Sequence, residues 1–170
     1  GRLKRLVTNK SPGPDGSHPV LLQRCAEQLS KPIKIMFERS MGEGKVPDDW
    51  KRANISAIYK KGDKCEAGNY RPISVTSILC KTMESVIRDQ LLRRLESQGV
   101  LSKQQHGFTK HRSCLTNLLE TFESWTRLID EGFGVDVIYL DYSKAFDTVP
   151  HRRLLQKLAD YGITGSVLRW

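Results

Sequence analysis

The chain has 170 residues, of which 28 are Lys or Arg and 19 are Asp or Glu, so its formal net charge is +9. This length fits one domain or part of a larger one, and a hydrophobic content of 38% is enough for a packed core, which excludes a wholly disordered chain. No apolar run approaches the ~18 residues of a membrane span and no signal peptide is visible, so we expect an intracellular protein of the cytoplasm and nucleus.

Positive charge is concentrated in the first two thirds of the chain. Residues 1–115 hold 22 Lys and Arg against 11 Asp and Glu, whereas residues 116–170 hold 6 against 8. This pattern fits a nucleic-acid binder that is followed by a cation site, although a basic surface without a particular partner explains the charge equally well. The four cysteines are far apart and form no Cys-x-x-Cys pair, which argues against a zinc site or a disulfide scaffold.

The first elements predicted are a rigid turn and two helices. Residues 11–16 contain two prolines and two glycines, which exclude helix or central strand there. Apolar residues from Leu21 to Leu29 then recur at helical spacing. A second helix is predicted to begin near Pro32, a favourable first-turn residue, and to end at Gly42-Glu43-Gly44.

A β-hairpin is predicted next. Residues 53–60 and 70–76 have the composition of strands, and the loop over residues 61–69 is polar and contains glycine. Pro72 cannot donate to a strand ladder, so the second strand is expected at an edge or with an irregular start.

The second half of the chain predicts two helices, a strand and a last helix. An amphipathic helix covers residues 79–99, and Ser113 caps another that is closed by Gly132, with its apolar side chains inward. The apolar run 135–140 predicts a strand that is covered on both faces. Residues 150–161 are again helical. The order of elements indicates a mixed α+β fold.

The sharpest candidate site is the carboxylate of Asp141, directly after the predicted strand. A carboxylate that is partly buried at the end of a strand is costly unless a cation or hydrogen-bond donors compensate for its charge. Mg²⁺ is such a cation, and proteins hold it with one or two carboxylates together with substrate phosphates. The backbone carbonyl of Tyr142 is a candidate second ligand. Capping of the following turn is the alternative role for Asp141.

At this point the sequence resembles the reverse transcriptases of non-long-terminal-repeat (LINE-type) retrotransposons, closest to the jockey and chicken-repeat types. The resemblance covers nearly the whole chain, and its strength lies in the order of the motifs. They are KSPGPDG (residues 10–16), VPDDWK (46–51), KKGD (60–63), NYRPIS (69–74), HGF (106–108) and YLDYSKAFDTV (139–149).

The resemblance implies a right-hand polymerase, with fingers and the fingers–palm connection over residues 1–132 and the start of the palm over residues 133–170. It implies an RNA-directed DNA polymerase that uses two Mg²⁺ ions, an RNA template, a DNA primer and deoxynucleoside triphosphates. Asp141 is then the first metal-binding carboxylate, which contacts both ions and is not a proton base, and Tyr142 supplies its carbonyl.

The resemblance also implies a nucleotide site. Lys60 and Arg71 match residues that grip the triphosphate, and Arg offers a bidentate fork for phosphate. Lys144 and Ala145 match residues whose backbone N–H groups face the same phosphates. Phe146 matches the aromatic ring that excludes a ribose 2′-hydroxyl. A core position is the alternative for Phe146, and a solvated loop tip is the alternative for Lys60.

Other charged residues are weaker candidates. Lys61 is an alternative to Lys60, because a slip of one residue reverses the face of a strand. Lys110 and Arg112 are candidates for contact with a nucleic-acid backbone, although a surface cluster at a helix start explains them equally well. Asp136 and Asp147 are weaker metal candidates than Asp141.

The chain is expected to be inactive by itself. No second acidic pair follows Asp147, and one carboxylate does not hold two divalent ions. We therefore expect a fragment of a larger polymerase domain. Three other interpretations stay open, namely a catalytically dead nucleic-acid-binding remnant or co-opted domain, a maturase of the group II intron type, and an unrelated helical domain.

Overall fold

The computed structural model describes residues 1–142 and 145–170, which form seven α-helices and a two-stranded sheet. Two compact units are present, one made of Gly1–Leu91 with Arg152–Trp170 and the other of Leu92–His151. The helices are α1 (Pro19–Arg24), α2 (Ala26–Glu43), α3 (Ile78–Ser97), α4 (Cys114–Asp130), α5 (Ala145–Thr148), α6 (His151–Asp160) and α7 (Gly165–Arg169), and the strands are β1 (Asn54–Tyr59) and β2 (Tyr70–Val75). This mixture of helix and sheet confirms the predicted α+β class.

The predicted hairpin is confirmed. Strands β1 and β2 pair antiparallel, with Asn54 opposite Val75 and Tyr59 opposite Tyr70. Pro72 lies in an edge strand, as expected for a residue that lacks a backbone donor. The sheet consists of these two strands, so the outer edge of each strand is unpaired among the described residues.

The predicted start of the second helix near Pro32 is wrong. Helix α2 already begins at Ala26, where the Leu29 N–H donates to the Cys25 carbonyl at 2.9 Å, and Pro32 lies inside the helix. Pro32 has no N–H to donate to the carbonyl of Gln28, one turn earlier. Both residues are exposed, so water can donate to that carbonyl instead. The helix ends as predicted, at Gly44 with a φ of 65°.

The core of the first unit is built around Trp50, Cys80 and Met83. The ring of Phe37 meets Trp50 edge to face, with centroids 5.7 Å apart. Trp170 packs against this cluster, and its indole N–H donates to Ser40 Oγ at 2.8 Å. The last residue of the chain is therefore part of this core.

The turn predicted over residues 11–16 docks on the start of α3. Ser77 is fully buried, and its hydroxyl donates to Asp15 Oδ2 at 2.6 Å. Ser77 Oγ also accepts a hydrogen bond from the Leu79 N–H at 3.2 Å, so Ser77 caps α3 as well. A Cβ on Gly13 would lie 2.7 Å from the Ser77 backbone nitrogen. The turn therefore has a structural role that requires glycine at position 13.

Helix α4 in the second unit has the predicted cap but not the predicted burial. Ser113 Oγ accepts from the Thr116 N–H at 3.2 Å, and Thr116 Oγ1 accepts from the Ser113 N–H at 2.9 Å. Of the six apolar side chains that were expected inward, Trp125 is half-buried and five are more than half exposed. They are Leu115, Leu118, Leu119, Phe122 and Ile129.

The strand predicted over residues 135–140 is not formed. Residues 133–142 have no regular structure, and Ile138 is 83% exposed and Leu140 81% exposed, so the expected cover on both faces is also wrong. A strand needs a partner for its backbone groups, and the only sheet among the described residues is the β1–β2 hairpin. This mostly apolar segment therefore remains exposed and without a strand partner among the described residues.

The four cysteines differ in burial. Burial, and then the carboxylate of Glu84, raise the pKa of the Cys80 thiol to about 12, and Cys80 is only 3% exposed. Cys65 and Cys114 are exposed. Because the thiolate is the nucleophile, we expect iodoacetamide at pH 8 to alkylate Cys65 and Cys114 and to leave Cys80 unmodified, as read by mass spectrometry. Equal modification of Cys80 and Cys65 in the folded chain would contradict this packing; all four should react in urea.

No helix among the described residues has the length and apolar character that crossing a membrane requires.

Candidate nucleotide and nucleic-acid site

The hairpin places Lys60 and Arg71 on one face. Ile58 pairs with Arg71, and the Lys60 N–H donates to the Asn69 carbonyl at 2.8 Å, so pairing continues one residue beyond β1. Side chains two residues apart point to the same face of a strand, so Lys60 follows Ile58 and lies on the face of Arg71. Both cations are exposed. Lys61 comes one residue later, in the turn, and is exposed as well.

Side chains of the strands fix the hairpin loop. The Tyr59 hydroxyl donates to the Gly62 carbonyl at 2.6 Å, and the Tyr70 hydroxyl donates to the Lys64 carbonyl at 2.9 Å. The Asn69 amide donates to the Asp63 carbonyl at 2.8 Å. These three hydrogen bonds tie the backbone of the loop that follows Lys60 to side chains of the strand ends.

Asn69 and the two tyrosines were not identified as site residues from the sequence. The rings of Tyr59 and Tyr70 pack edge to face with centroids 5.6 Å apart, and the Lys64 ammonium lies 5.7 Å from the centre of the Tyr59 ring. The signal available in the sequence was the placement of the tyrosines at the two ends of the loop, and in the structure they form the last pair of the two strands.

The candidate metal residue lies in an open segment. Asp141 and Tyr142 are exposed, and Tyr142 retains 79% of its accessible surface. Among residues 1–142 and 145–170, no group of three or more His, Cys, Asp and Glu side chains is arranged to hold a metal ion. The exposed carboxylate of Asp141 is of the type that Mg²⁺ prefers.

Short helix α5 follows this segment and carries two further candidates. Ala145 is its first residue, and Phe146 is 85% exposed. An open ring does not have the core position that was the alternative for Phe146. Lys144 lies outside the described residues.

A buried histidine organises the loop before α4. His106 is 6% exposed, and its Nδ1 lies 2.9 Å from Thr116 Oγ1. Thr116 also donates its hydroxyl proton to the Ser113 carbonyl. The other ring nitrogen, Nε2, lies 2.9 Å from Arg112 Nη1 and 3.1 Å from Glu120 Oε2.

Arg112 is therefore engaged within the protein. Besides His106, its guanidinium lies 3.7 Å from a carboxylate oxygen of Glu120. Lys110 is exposed, and no ion pair to it is found among the described residues. Thr116 and Glu120 were not predicted as partners of this loop from the sequence. The signal available was their spacing of four residues, which puts both on one face of α4.

Comparison with known proteins identifies the class. The chain belongs to the reverse transcriptase family: residues 58–170 match the family described as reverse transcriptase (RNA-dependent DNA polymerase).

Individual relatives come from transposable elements. The chain is 29% identical over 155 residues to the "Probable RNA-directed DNA polymerase from transposon X-element" of Drosophila melanogaster, and the match covers 91% of this chain and 17% of that protein. It is 27% identical over 156 residues to the RNA-directed DNA polymerase of the mobile element jockey of the same organism. That match covers 91% of this chain and 17% of the jockey protein. It is 34% identical over 122 residues to the Pol polyprotein of the R2 element of Popillia japonica. That match covers 71% of this chain and 16% of the polyprotein.

These relatives confirm the resemblance to non-long-terminal-repeat retrotransposon reverse transcriptases. The chain spans less than a fifth of the length of each of them.

Proposed function

We propose that this chain supplies the fingers and the start of the palm of a reverse transcriptase that copies RNA into DNA. Residues 1–132 form the fingers and the fingers–palm connection, and residues 133–170 begin the palm. The observation that carries the proposal is the family match over residues 58–170, a span that contains the hairpin cations and Asp141.

Asp141 is the proposed catalytic residue and a ligand of Mg²⁺. The Asp141 carboxylate and the Tyr142 carbonyl would hold Mg²⁺ through hard oxygen ligands. Two such ions would supply activation of the primer 3′-hydroxyl and stabilisation of the leaving pyrophosphate. The exposure of both residues leaves these oxygens accessible.

The proposed nucleotide site has two parts. Lys60 and Arg71, which share a face of the hairpin, bind the triphosphate through charge-assisted hydrogen bonds. In the second unit, the backbone N–H of Ala145 is a proposed phosphate donor, and the ring of Phe146 is proposed to exclude a ribose 2′-hydroxyl. The partners are an RNA template, a DNA primer and deoxynucleoside triphosphates.

The isolated chain tests the nucleic-acid part of the proposal. We expect the purified 170-residue chain to bind an RNA template annealed to a DNA primer in a fluorescence anisotropy assay, because residues 1–115 carry twice as many basic as acidic side chains. We expect it to incorporate no nucleotides in primer extension with Mg²⁺, since no second acidic pair follows Asp147 in its sequence. Template-dependent synthesis by the isolated chain, or failure to bind the primer–template, would contradict the proposal.

A chimaera tests the nucleotide site. In this chimaera the chain replaces the matched segment of the X-element polymerase. We expect Arg71→Gln and Lys60→Gln each to raise the KM for deoxynucleoside triphosphates by about tenfold or more, because each removes a hydrogen bond to charge, worth ~1.5–3 kcal/mol.

Lys61→Gln is the matched control for Lys60, because it removes the same charge one residue away. We expect it to change the KM by less than a factor of two to three. Equal effects of Lys60→Gln and Lys61→Gln would refute the assignment of one face of the hairpin to the triphosphate.

A further inference from the structure

We propose that Phe108 is a stacking platform for an unpaired base of single-stranded RNA or DNA. The ring projects from the loop over residues 102–112, here called the aromatic loop. The inference rests on the proposed function, because a polymerase of this class handles a single-stranded template, and it adds a base-contacting residue outside the hairpin and the Asp141 segment.

The conformation of Phe108 is the first observation. Its side chain is 95% exposed, and its φ is 57°, in the left-handed region that bulky residues rarely adopt. His111 in the same loop has a φ of 61°. Such backbone strain persists where the surroundings impose it, and it clusters at ligand-contacting positions. At Phe108 a left-handed backbone and an almost fully exposed aromatic ring coincide.

The rigidity of the aromatic loop is the second observation. The Gln105 side chain donates to the Gly107 carbonyl at 2.9 Å, and the Thr109 N–H donates to the His106 carbonyl at 3.4 Å. His106 itself is buried and bonded to Thr116 and Arg112. The backbone on both sides of Phe108 is thereby fixed, so stacking a base on the ring requires little further ordering of the protein.

The charge around the ring is the third observation. Residues 102–113 contain no Asp or Glu. Lys103 and Lys110 are exposed, and no ion pair to either is found among the described residues. A single exposed ring in a loop that also carries two exposed lysines matches a base with its flanking phosphates. A protein partner would match a wider apolar patch.

Oligonucleotide binding by the 170-residue chain tests the inference. The probes are a fluorescein-labelled twelve-nucleotide oligo(rU), the corresponding oligo(dT) and a blunt duplex. We expect Phe108→Ala to weaken binding of both single strands by roughly tenfold to a hundredfold, the range for loss of one stacked base, and to change duplex binding by less than twofold. Phe108→Trp should bind single strands at least as well as the unsubstituted chain.

Phe133→Ala is the matched control, because Phe133 is a 61% exposed phenylalanine of the same unit with an ordinary φ. We expect it to leave both affinities unchanged. Circular dichroism should show that all variants fold alike.

The outcomes separate this inference from the proposed function. Unchanged single-strand binding by Phe108→Ala would overturn the stacking role alone, as would equal losses for single strand and duplex. If Phe108→Ala altered only self-association in sedimentation, the ring would be a protein contact and the inference would again be wrong. Absence of any binding by the unsubstituted chain would contradict both.

Discussion

Asp141→Asn reduces RNA-templated DNA synthesis by the X-element chimaera by about a thousandfold or more, to the background of the assay. Asparagine keeps the shape of the side chain but removes the negative charge that holds divalent ions. Stabilisation by such ions is worth several kcal/mol in the transition state, and about 4 kcal/mol corresponds to a thousandfold in rate. Primer extension on an RNA template with Mg²⁺ measures the effect.

Asp136→Asn is the control, since Asp136 is an exposed aspartate in the same open segment. We expect it to retain synthesis within a factor of two to three. Binding of the primer–template should be nearly unchanged in both variants. If Asp141→Asn kept more than a tenth of the activity, or if Asp136→Asn lost as much, the assignment of Asp141 as the metal-binding carboxylate would be wrong.

Gly13→Ala destabilises the chain by about 1–3 kcal/mol, the usual range for overpacking. The added Cβ would lie 2.7 Å from both the nitrogen and the Cα of Ser77, and 2.8 Å from the Thr76 carbonyl carbon. These neighbours are backbone atoms, so the turn has to move away from α3. That movement stretches the hydrogen bond between Ser77 and Asp15 and weakens the cap of α3.

Thermal unfolding followed by circular dichroism measures this effect. A chain of this size loses roughly 2–4 °C in Tm for each kcal/mol. Gly68→Ala is the control, because a Cβ at Gly68 meets nothing within 4 Å and no left-handed φ occurs there. Equal Tm values for Gly13→Ala and the unsubstituted chain would show that the turn does not pack on Ser77.

Features with local physical causes were predictable from the sequence. The hairpin follows from two strand-like runs around a polar loop, and its register then assigns Lys60 and Arg71 to one face. The cap of α4 depends on Ser113 and Thr116, three residues apart. The end of α2 depends on one glycine that accepts a left-handed conformation. In each case the decisive residues lie within a few positions of each other.

Features that depend on distant partners were not predictable. The apolar run 135–140 has strand composition, but strand formation requires a second strand, and among the described residues none pairs with it. The contact between Gly13 and Ser77 joins residues far apart in sequence. The environment of Arg112 depends on a histidine and a glutamate from different segments, so its basic character alone pointed to nucleic acid.

The length of DNA made by the chimaera on a mixed-sequence RNA template tests the central claim most directly. If residues 1–170 supply working fingers and the first catalytic carboxylate, the chimaera extends a DNA primer to the end of the RNA template when Mg²⁺ is present. A soluble chimaera that binds the primer–template but adds no nucleotide, under conditions where the X-element polymerase makes full-length DNA, would contradict the account.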